Sequence, residues 1–218
     1  MRINQFIAKS STLSRRNADE AIQSGRVKIN GKTAQLSQEV HDTDRVELDG
    51  KPVSPHETIV LILHKPVGYV CSRDGQGSKT IYNLLPSEFS ILNPIGRLDK
   101  DSSGLLLLTN DGDLHQRLSH PSEQKQKVYS VALHKPLTSR DRQHIEKGVE
   151  LEDGTSKLKL LGEGKTWTVK MHEGRNRQIR RTFAALGHTV KTLHRISMGE
   201  FELGGLPAGQ YQELDLDS

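Results

Sequence analysis

The feature that most constrains this chain is a glycine-bounded turn that runs directly into four consecutive leucines. The segment from Asn93 to Gly112 reads NPIGRLDKDSSGLLLLTNDG. A short apolar run between two turn signals is typical of a strand buried on both faces, although such a run alone does not exclude a helix. The turn carries Arg97, Asp99 and Asp101, and a carboxylate held against a buried strand has the rigid placement that catalysis requires. Capping of the turn is the alternative role for either aspartate.

The length and composition set the broad class. A chain of 218 residues can hold one large domain, or one medium-sized and one small domain. No apolar stretch approaches the length of a bilayer-spanning helix, and the N-terminus lacks the apolar segment of a secretory signal. With Cys71 as the single cysteine, an internal disulfide is impossible and a thiolate metal cluster cannot form. We therefore expect a cytoplasmic protein without membrane association.

Positive charge is concentrated in two segments. Residues 1–32 contain seven Lys or Arg against two acidic residues, and residues 170–195 contain seven against Glu173 alone, whereas the whole chain has a net charge of only +4. Two such clusters predict a polyanionic partner, with nucleic acid the first candidate. Two solvated basic faces without a ligand are the alternative.

The first 55 residues predict a small α+β unit. Apolar spacing favours helices over 3–9 and 16–23, with Ser14 as the N-cap of the second. Alternating residues at 26–30 and 44–48 predict strands, and Asn30-Gly31 is a hairpin turn signal. Residues 51–57, which contain two prolines, are typical of a semi-rigid linker.

This first segment resembles the S4 RNA-binding domain, in which a pair of helices packs on a small sheet. The resemblance rests on Arg2-Ile-Asn, on Ser14-Arg-Arg-Asn-Ala18 and on the run from Gly25 to Gly31. It implies that structured RNA is bound by the basic residues of this unit, which are Arg2, Arg15, Arg16, Arg26 and Lys28. Arginine pairs well with phosphate, and such binding is salt-sensitive and largely independent of base sequence.

The remainder predicts a larger α+β domain with many strands and scattered short helices. Its expected strands are 59–63, the leucine run, 126–133, 158–161, 167–171, 189–193 and 211–214. Its expected helices are 80–85, 114–118, 138–147 and one that is entered from Glu173 and closed by Gly187. His120-Pro121 is expected to end the 114–118 helix. We place the domain boundary between residues 55 and 56, giving domains 1–55 and 56–218.

Several kinds of chemistry lack a motif in this sequence. There is no phosphate-binding loop and no glycine-rich dinucleotide motif. None of the ten histidines has metal-ligand spacing, and neither Ser72 nor Cys71 lies in a nucleophile elbow. An S4-bearing RNA methyltransferase would need a glycine-rich cofactor loop, which is absent. We therefore expect neither a metal nor a cofactor.

Four arginines gather where the 173–186 segment enters its helix. Arg175, Arg177, Arg180 and Arg181 lie at a helix start, where the helix dipole disfavours cations. An anionic partner would offset this cost, either a phosphate backbone or a carboxylate. Because Ile179 is expected in the core, Arg180 is predicted to reach inward while the other three face RNA.

Three segments together resemble the motifs of pseudouridine synthases, in the ribosomal RNA branch that carries an N-terminal S4 domain. They are Gly96-Arg-Leu-Asp-Lys-Asp-Ser-Ser-Gly104 with the leucines after it, Lys127-Val-Tyr-Ser-Val131, and Glu173 to Arg181. The resemblance implies a synthase domain with a mixed, mainly antiparallel sheet flanked by short helices. It further implies that Asp99 is the catalytic aspartate, that Tyr129 stacks on the target base and that Arg180 pairs with Asp99. Arg97 is expected to hold or replace the displaced base, and Asp101 is assigned to the turn.

The implied reaction isomerises one uridine of ribosomal RNA to pseudouridine, after the base has been flipped out of its stack. It imports no group and oxidises nothing. The sequence favours 23S over 16S ribosomal RNA as the target, and we expect a monomer that acts on free ribosomal RNA or a pre-ribosomal particle. A non-catalytic RNA-binding or ribosome-assembly protein that keeps the synthase fold is the alternative.

Overall fold

The computed structural model describes residues 1–119 and 125–215. The chain divides into two compact units, Met1–Ile59 and Val60–Ser218. Both units combine helices with mainly antiparallel strands, so the predicted α+β class is confirmed.

Two short helices form one side of the first unit. They are α1 (Ile3–Ser10) and α2 (Arg15–Gln23), close to the predicted bounds. Ile3 and Ile7 lie one turn apart on α1 and are fully buried, as the apolar spacing predicts. The Ser14 hydroxyl accepts a hydrogen bond from the Asn17 amide at 3.2 Å, so the predicted N-cap is confirmed.

A four-stranded antiparallel sheet completes this unit. Its strands are β1 (Val27–Ile29), β2 (Lys32–Thr33), β3 (Val46–Leu48) and β4 (Lys51–Pro52), in the order β2-β1-β3-β4. The β1–β2 turn has positive φ at Asn30 (51°) and at Gly31 (79°), the conformation that an Asn-Gly hairpin favours. The predicted hairpin is therefore confirmed.

A nine-stranded sheet forms the centre of the second unit. The strands of this unit are β5 (Val60–Lys65), β6 (Asn93–Ile95), β7 (Ser103–Thr109), β8 (Lys127–Leu133), β9 (Val149–Leu151), β10 (Gly154–Ser156), β11 (Lys159–Glu163), β12 (Thr166–Met171), β13 (Val190–Met198), β14 (Phe201–Glu202) and β15 (Tyr211–Glu213). The sheet order is β11-β12-β8-β13-β7-β5-β15, with β6 paired to β7 and β14 to β13, while β9 and β10 form a separate hairpin. Only the β7–β13 pair is parallel among the strands described.

Short helices connect these strands. They are α3 (Gly112–Ser119), α4 (Ser139–Lys147), α5 (Gln178–Ala185) and the 3-10 helices Ile81–Leu84 and Ser87–Ile91. Each predicted helix of this unit has a counterpart, although α5 begins only at Gln178. The predicted stop at His120-Pro121 falls outside the described residues.

The leucine run forms β7, an interior strand of the sheet. Leu105, Leu106, Leu107 and Leu108 are all fully buried, so the strand is covered on both faces as predicted. Gly104 at its start has a φ of +112°, and a Cβ there would lie 2.2 Å from the carbonyl oxygen of Arg195. The final glycine of the turn motif is therefore required for the close approach of β7 to β13.

Candidate active site

A buried lysine fixes the turn that carries the predicted catalytic aspartate. Lys65, at the end of β5, is fully buried below the 96–102 loop. Its Nζ donates to the backbone carbonyls of Asp99 (3.0 Å), Ser102 (2.7 Å) and Pro66 (3.1 Å). Burial lowers the pKa of this amine. Because Lys65 binds main-chain oxygens, the Asp99 carboxylate stays available to a ligand.

Cys71 also supports the 96–102 loop, through the backbone of Leu98, the residue before Asp99. Its Sγ donates to the Leu98 carbonyl at 3.3 Å and accepts from the Leu98 amide at 3.4 Å. Burial raises the pKa of the Cys71 thiol, which favours the protonated form. The thiol is thus part of the loop support rather than an exposed nucleophile.

Asp99 opens into a cavity of about 440 Å³. This volume lies within the range of about 300–1,000 Å³ that is usual for small-molecule sites. Tyr129 and Arg97 line the same cavity, together with the apolar side chains of Ile179 and Leu193. The Asp99 side chain is 31% exposed, while Tyr129 is only 8% exposed. The structure therefore brings Asp99, Tyr129 and Arg97 together around one space.

Arg177 is the arginine next to the aspartates of the turn. Its Nη1 and Nη2 donate to the two carboxylate oxygens of Asp101 at 2.9 and 2.8 Å, and Nη1 lies 3.6 Å from Oδ2 of Asp99. The hydrogen bonds from Arg177 hold the pKa of Asp101 below its usual value. Asp101 therefore anchors an arginine, a role beyond the turn position predicted for it.

The predicted pairing of Arg180 with Asp99 is wrong. Nη2 of Arg180 donates to the carbonyl of Asp101 at 2.7 Å, and Nε lies 3.4 Å from the Asp101 carboxylate. Nη1 donates to the Val190 carbonyl at 3.1 Å. The backbone carbonyls of Asp101 and Val190 hold the Arg180 guanidinium from two sides and direct it to Asp101. The arginine near Asp99 is Arg177. Arg180 does reach inward, as predicted, since its side chain is only 12% exposed.

Arg175 and Arg181 both bind one aspartate of the β9–β10 turn. Arg175 Nη1 lies 3.0 Å from Oδ1 of Asp153, and Arg181 Nη2 lies 2.7 Å from Oδ2. Arg175 also donates to the carbonyls of Gly154 and Thr155. These guanidinium groups thus already have an anionic partner within the protein. An RNA contact through them stays a prediction.

The predicted RNA-binding residues of the first unit lie on its surface. Arg15 and Arg16 are exposed in the first turn of α2, and Arg2 and Lys28 are exposed as well. Arg26 forms two hydrogen bonds with Asp49, at 2.7 and 2.6 Å. All five cations are therefore on the surface of this unit, and Arg26 forms an ion pair with Asp49.

Residues 1–119 and 125–215 contain neither a membrane-spanning helix nor a cluster of metal-binding side chains. No helix in this part of the chain is long and apolar enough to cross a membrane. No group of three or more His, Cys, Asp and Glu side chains could hold a metal ion there.

Sequence reasoning missed two buried cations of this region. Lys65 ends a mostly apolar strand just before Pro66, and a lysine in such a run was a usable signal. Arg195 is only 2% exposed, and its Nε donates to the Leu105 carbonyl at 2.7 Å. Nothing in the local sequence distinguishes Arg195 from a surface arginine, because its burial depends on the β7–β13 contact.

Comparison with known families gives two matches. Residues 59–185 match the RNA pseudouridylate synthase family, and residues 1–46 match the S4 domain. The first match includes Asp99 and all the wall residues of its cavity except Leu193.

Individual relatives cover nearly the whole chain. Ribosomal large subunit pseudouridine synthase B of Bacillus subtilis (strain 168) is 39% identical over 98% of this chain and 91% of its own length. An uncharacterized RNA pseudouridine synthase of Aquifex aeolicus (strain VF5) is 38% identical over 99% and 90%. A solved pseudouridylate synthase structure superposes with a TM-score of 0.71 at 32% identity, covering 100% of this chain and 97% of that one.

Proposed function

The chain belongs to the RNA pseudouridylate synthase family, and from that premise we propose that it converts a uridine of large-subunit ribosomal RNA to pseudouridine with Asp99 as the catalytic carboxylate. The observation that supports this role is the position of Asp99 in a cavity beside Tyr129, on a loop fixed through its backbone by Lys65. A carboxylate placed in this way can approach the ribose of a bound uridine without first breaking an internal hydrogen bond of its own loop.

The reaction breaks the N1–C1′ bond of uridine, turns the uracil and joins C5 to C1′. Asp99 can attack C1′ to form a covalent adduct, or it can take the C2′ proton and so promote a glycal-type route. When C5 joins C1′, the Asp99 ester bond breaks in the first route, and the C2′ proton is returned in the second. In both routes C5 then loses its proton and N1 gains one, so the product is an isomer of uridine. The nearby guanidinium of Arg177, 3.6 Å from Asp99, attracts the carboxylate and limits its rotamers.

In this proposal, Tyr129 stacks on the flipped base and Arg97 fills the place that the base leaves. A uridine in folded RNA must leave its stack to reach Asp99, at a cost of a few kcal/mol. Stacking on the Tyr129 ring offsets part of that cost, because aromatic stacking contributes about 1–3 kcal/mol per base. Arg97, exposed at the cavity rim, is suited to occupy the place that the base leaves.

The substrate assignment follows the relatives. The Bacillus subtilis and Vibrio cholerae proteins carry the name ribosomal large subunit pseudouridine synthase B. We assign the same subunit here, with the S4 unit binding structured ribosomal RNA through its exposed basic residues. We further propose that the substrate is free ribosomal RNA or an assembling particle, that the enzyme acts in the cytoplasm, and that it works as a monomer, because Asp99, Tyr129 and Arg97 all come from one chain.

The decisive experiment maps pseudouridines in ribosomal RNA from cells with and without this protein. One large-subunit uridine should lose its modification and regain it when the wild-type chain is supplied. Asp99→Asn should bind RNA normally and form no product, whereas Asp113→Asn, at an exposed position on α3, should restore the modification. Full turnover by Asp99→Asn would refute the catalytic role, and an unchanged map would favour a non-catalytic RNA-binding protein.

A further inference from the structure

A second cavity adjoins the one that contains Asp99. Its volume is about 850 Å³, and the two cavities share Arg97, Tyr129 and Arg175 as wall residues. Asp99 does not line the second cavity, which extends instead to Lys127 and Arg195. A ligand group in this space would therefore lie next to a base stacked on Tyr129, yet away from the reacting carboxylate.

Arg195 gives this cavity a buried and incompletely paired guanidinium. Its register partner on β8 is Tyr129, so both side chains lie on the same face of the sheet. Nε donates to the Leu105 carbonyl, but Nη2 is buried without a hydrogen-bond partner among the residues that the structure describes. A buried donor without a partner carries a cost of about 1–3 kcal/mol, which an acceptor brought by a ligand would remove.

Lys127 adds a second positive charge on the same wall. It lies two residues before Tyr129 on β8 and therefore points to the same side of the sheet. Its Nζ donates to the backbone carbonyl of Glu173 at 3.1 Å. Burial and the neighbouring charge of Arg195 lower the pKa of Lys127. Two like charges thus face one space.

The acidic residues of the cavity do not neutralise this pair. Asp153 and Glu173 are the carboxylates on its wall, and both are ion-paired with Arg175. Within residues 1–119 and 125–215, neither Lys127 nor Arg195 forms a salt bridge. The cavity therefore has a surplus of positive charge at its inner wall, and an anion is the ligand that fits it.

We propose that this second cavity binds a phosphate of the RNA strand adjacent to the uridine at Asp99, with Arg195 and Lys127 as its ligands. The inference rests on the proposed function in that RNA is the substrate. Every internal nucleotide has a phosphate on each side, so a strand whose base stacks on Tyr129 must place a phosphate close by. Guanidinium and ammonium groups both form charge-assisted hydrogen bonds with phosphate oxygens. The pair would thus hold the strand in register while the base turns.

The test compares two small probes by ligand-observed NMR titration. Uridine 3′,5′-bisphosphate should bind the wild-type chain at least about tenfold more tightly than uridine, since hydrogen bonds to charged groups contribute about 1.5–3 kcal/mol. Lys127→Gln should reduce that preference about five- to tenfold, and Arg195→Gln should reduce it further. Uridine itself should bind all variants about equally. Lys165→Gln, an exposed lysine outside both cavities, is the matched control and should keep the full preference.

Three outcomes would overturn the subsite: no preference for the bisphosphate in the wild type, an unchanged preference in Lys127→Gln, or an equal loss in Lys165→Gln. If Arg195→Gln does not fold, Lys127→Gln decides the question alone. We expect Lys127→Gln to fold, because the hydrogen bond that it loses is the one from Lys127 Nζ to the exposed carbonyl of Glu173. The probes are bound without turnover, so the subsite is tested separately from the activity. An unchanged pseudouridine map with a retained bisphosphate preference would refute the proposed function and leave the anion site in place.

Discussion

The Nζ of Lys65 donates to the backbone carbonyl of Asp99 at 3.0 Å, although 34 residues separate the two in sequence. The same amine reaches the carbonyls of Ser102 and Pro66, so one buried cation closes the loop that carries Asp99 onto the end of β5. The loop is thereby positioned through its main chain, and Lys65 binds the backbone carbonyl of Asp99 rather than its carboxylate.

Replacing this lysine with an apolar side chain of similar length should loosen the loop. Lys65→Met removes three hydrogen bonds and leaves buried carbonyls without donors, so we expect a loss of about 2–4 kcal/mol in the free energy of unfolding. Urea unfolding of the variant measures it, and Lys165→Met, at an exposed turn, should change stability by less than about 0.5 kcal/mol. Equal stability of the Lys65 variant and the wild type would show that the lysine does not support the loop.

The sequence predicted the strand and the turn but could not predict this support. The leucine run at 105–108 and the Asn30-Gly31 turn are local signals, and the structure has both where they were expected. The contact between Lys65 and Asp99 depends on how β5 pairs with β7, which no local pattern specifies. Burial of Arg195 has the same origin.

The ion pair between Asp101 and Arg177 predicts an acid-dependent change in stability. Its hydrogen bonds lower the pKa of Asp101 in the folded protein. The stabilisation is therefore fully present above the ordinary aspartate pKa and is lost as the pH falls through the lower folded value. The stability difference between wild type and Asp101→Asn should be constant above about pH 5 and shrink below about pH 4.

Chemical unfolding at a series of pH values checks this prediction. Asp42→Asn, at an exposed turn of the first unit, is the control for removing a carboxylate away from Arg177. A stability difference that grows as the pH falls would contradict the pairing. Because Arg177 is about 43% exposed, the plateau itself should be small, on the order of 1 kcal/mol.

The choice between Arg177 and Arg180 shows where sequence reasoning stops. The sequence predicted both arginines at the start of a helix, but α5 begins only at Gln178. Arg177 lies before the helix, in a left-handed conformation with a φ of 45°. That backbone turn brings Arg177 towards the aspartates. A left-handed non-glycine residue before a helix has no clear signature in a single sequence.

Gly104 should not accept even one additional methyl group. An alanine Cβ would lie 2.2 Å from the Arg195 carbonyl oxygen and 2.5 Å from its amide nitrogen, at a φ that L residues rarely adopt. We expect Gly104→Ala to destabilise the protein by about 3 kcal/mol or more, since β7 and β13 must move apart. Thermal unfolding measures the loss. Gly164→Ala serves as the control for positive φ (61°) without a close neighbour, and an equal loss there would assign the cost to φ alone.

Arg15 and Arg16 allow a direct test of RNA binding by the first unit. Both are exposed in the first turn of α2, where the helix dipole disfavours cations, so a phosphate nearby would offset that cost. Each phosphate contact releases counterions, which makes the logarithm of the binding constant fall linearly with the logarithm of salt concentration. Changing both residues to Gln should weaken binding to 23S ribosomal RNA and reduce the slope by about 1–2.

The matched control is Lys51→Gln, an exposed lysine of the same unit on β4. Lys51→Gln lowers the net charge of the unit but leaves the surface of α2 unchanged. The slope of the salt dependence should therefore stay close to the wild-type value. Filter binding at several salt concentrations separates the two cases. An unchanged slope in the double variant would place the phosphate contacts elsewhere, and equal slopes in both variants would mean that overall charge, rather than the surface of α2, attracts the RNA.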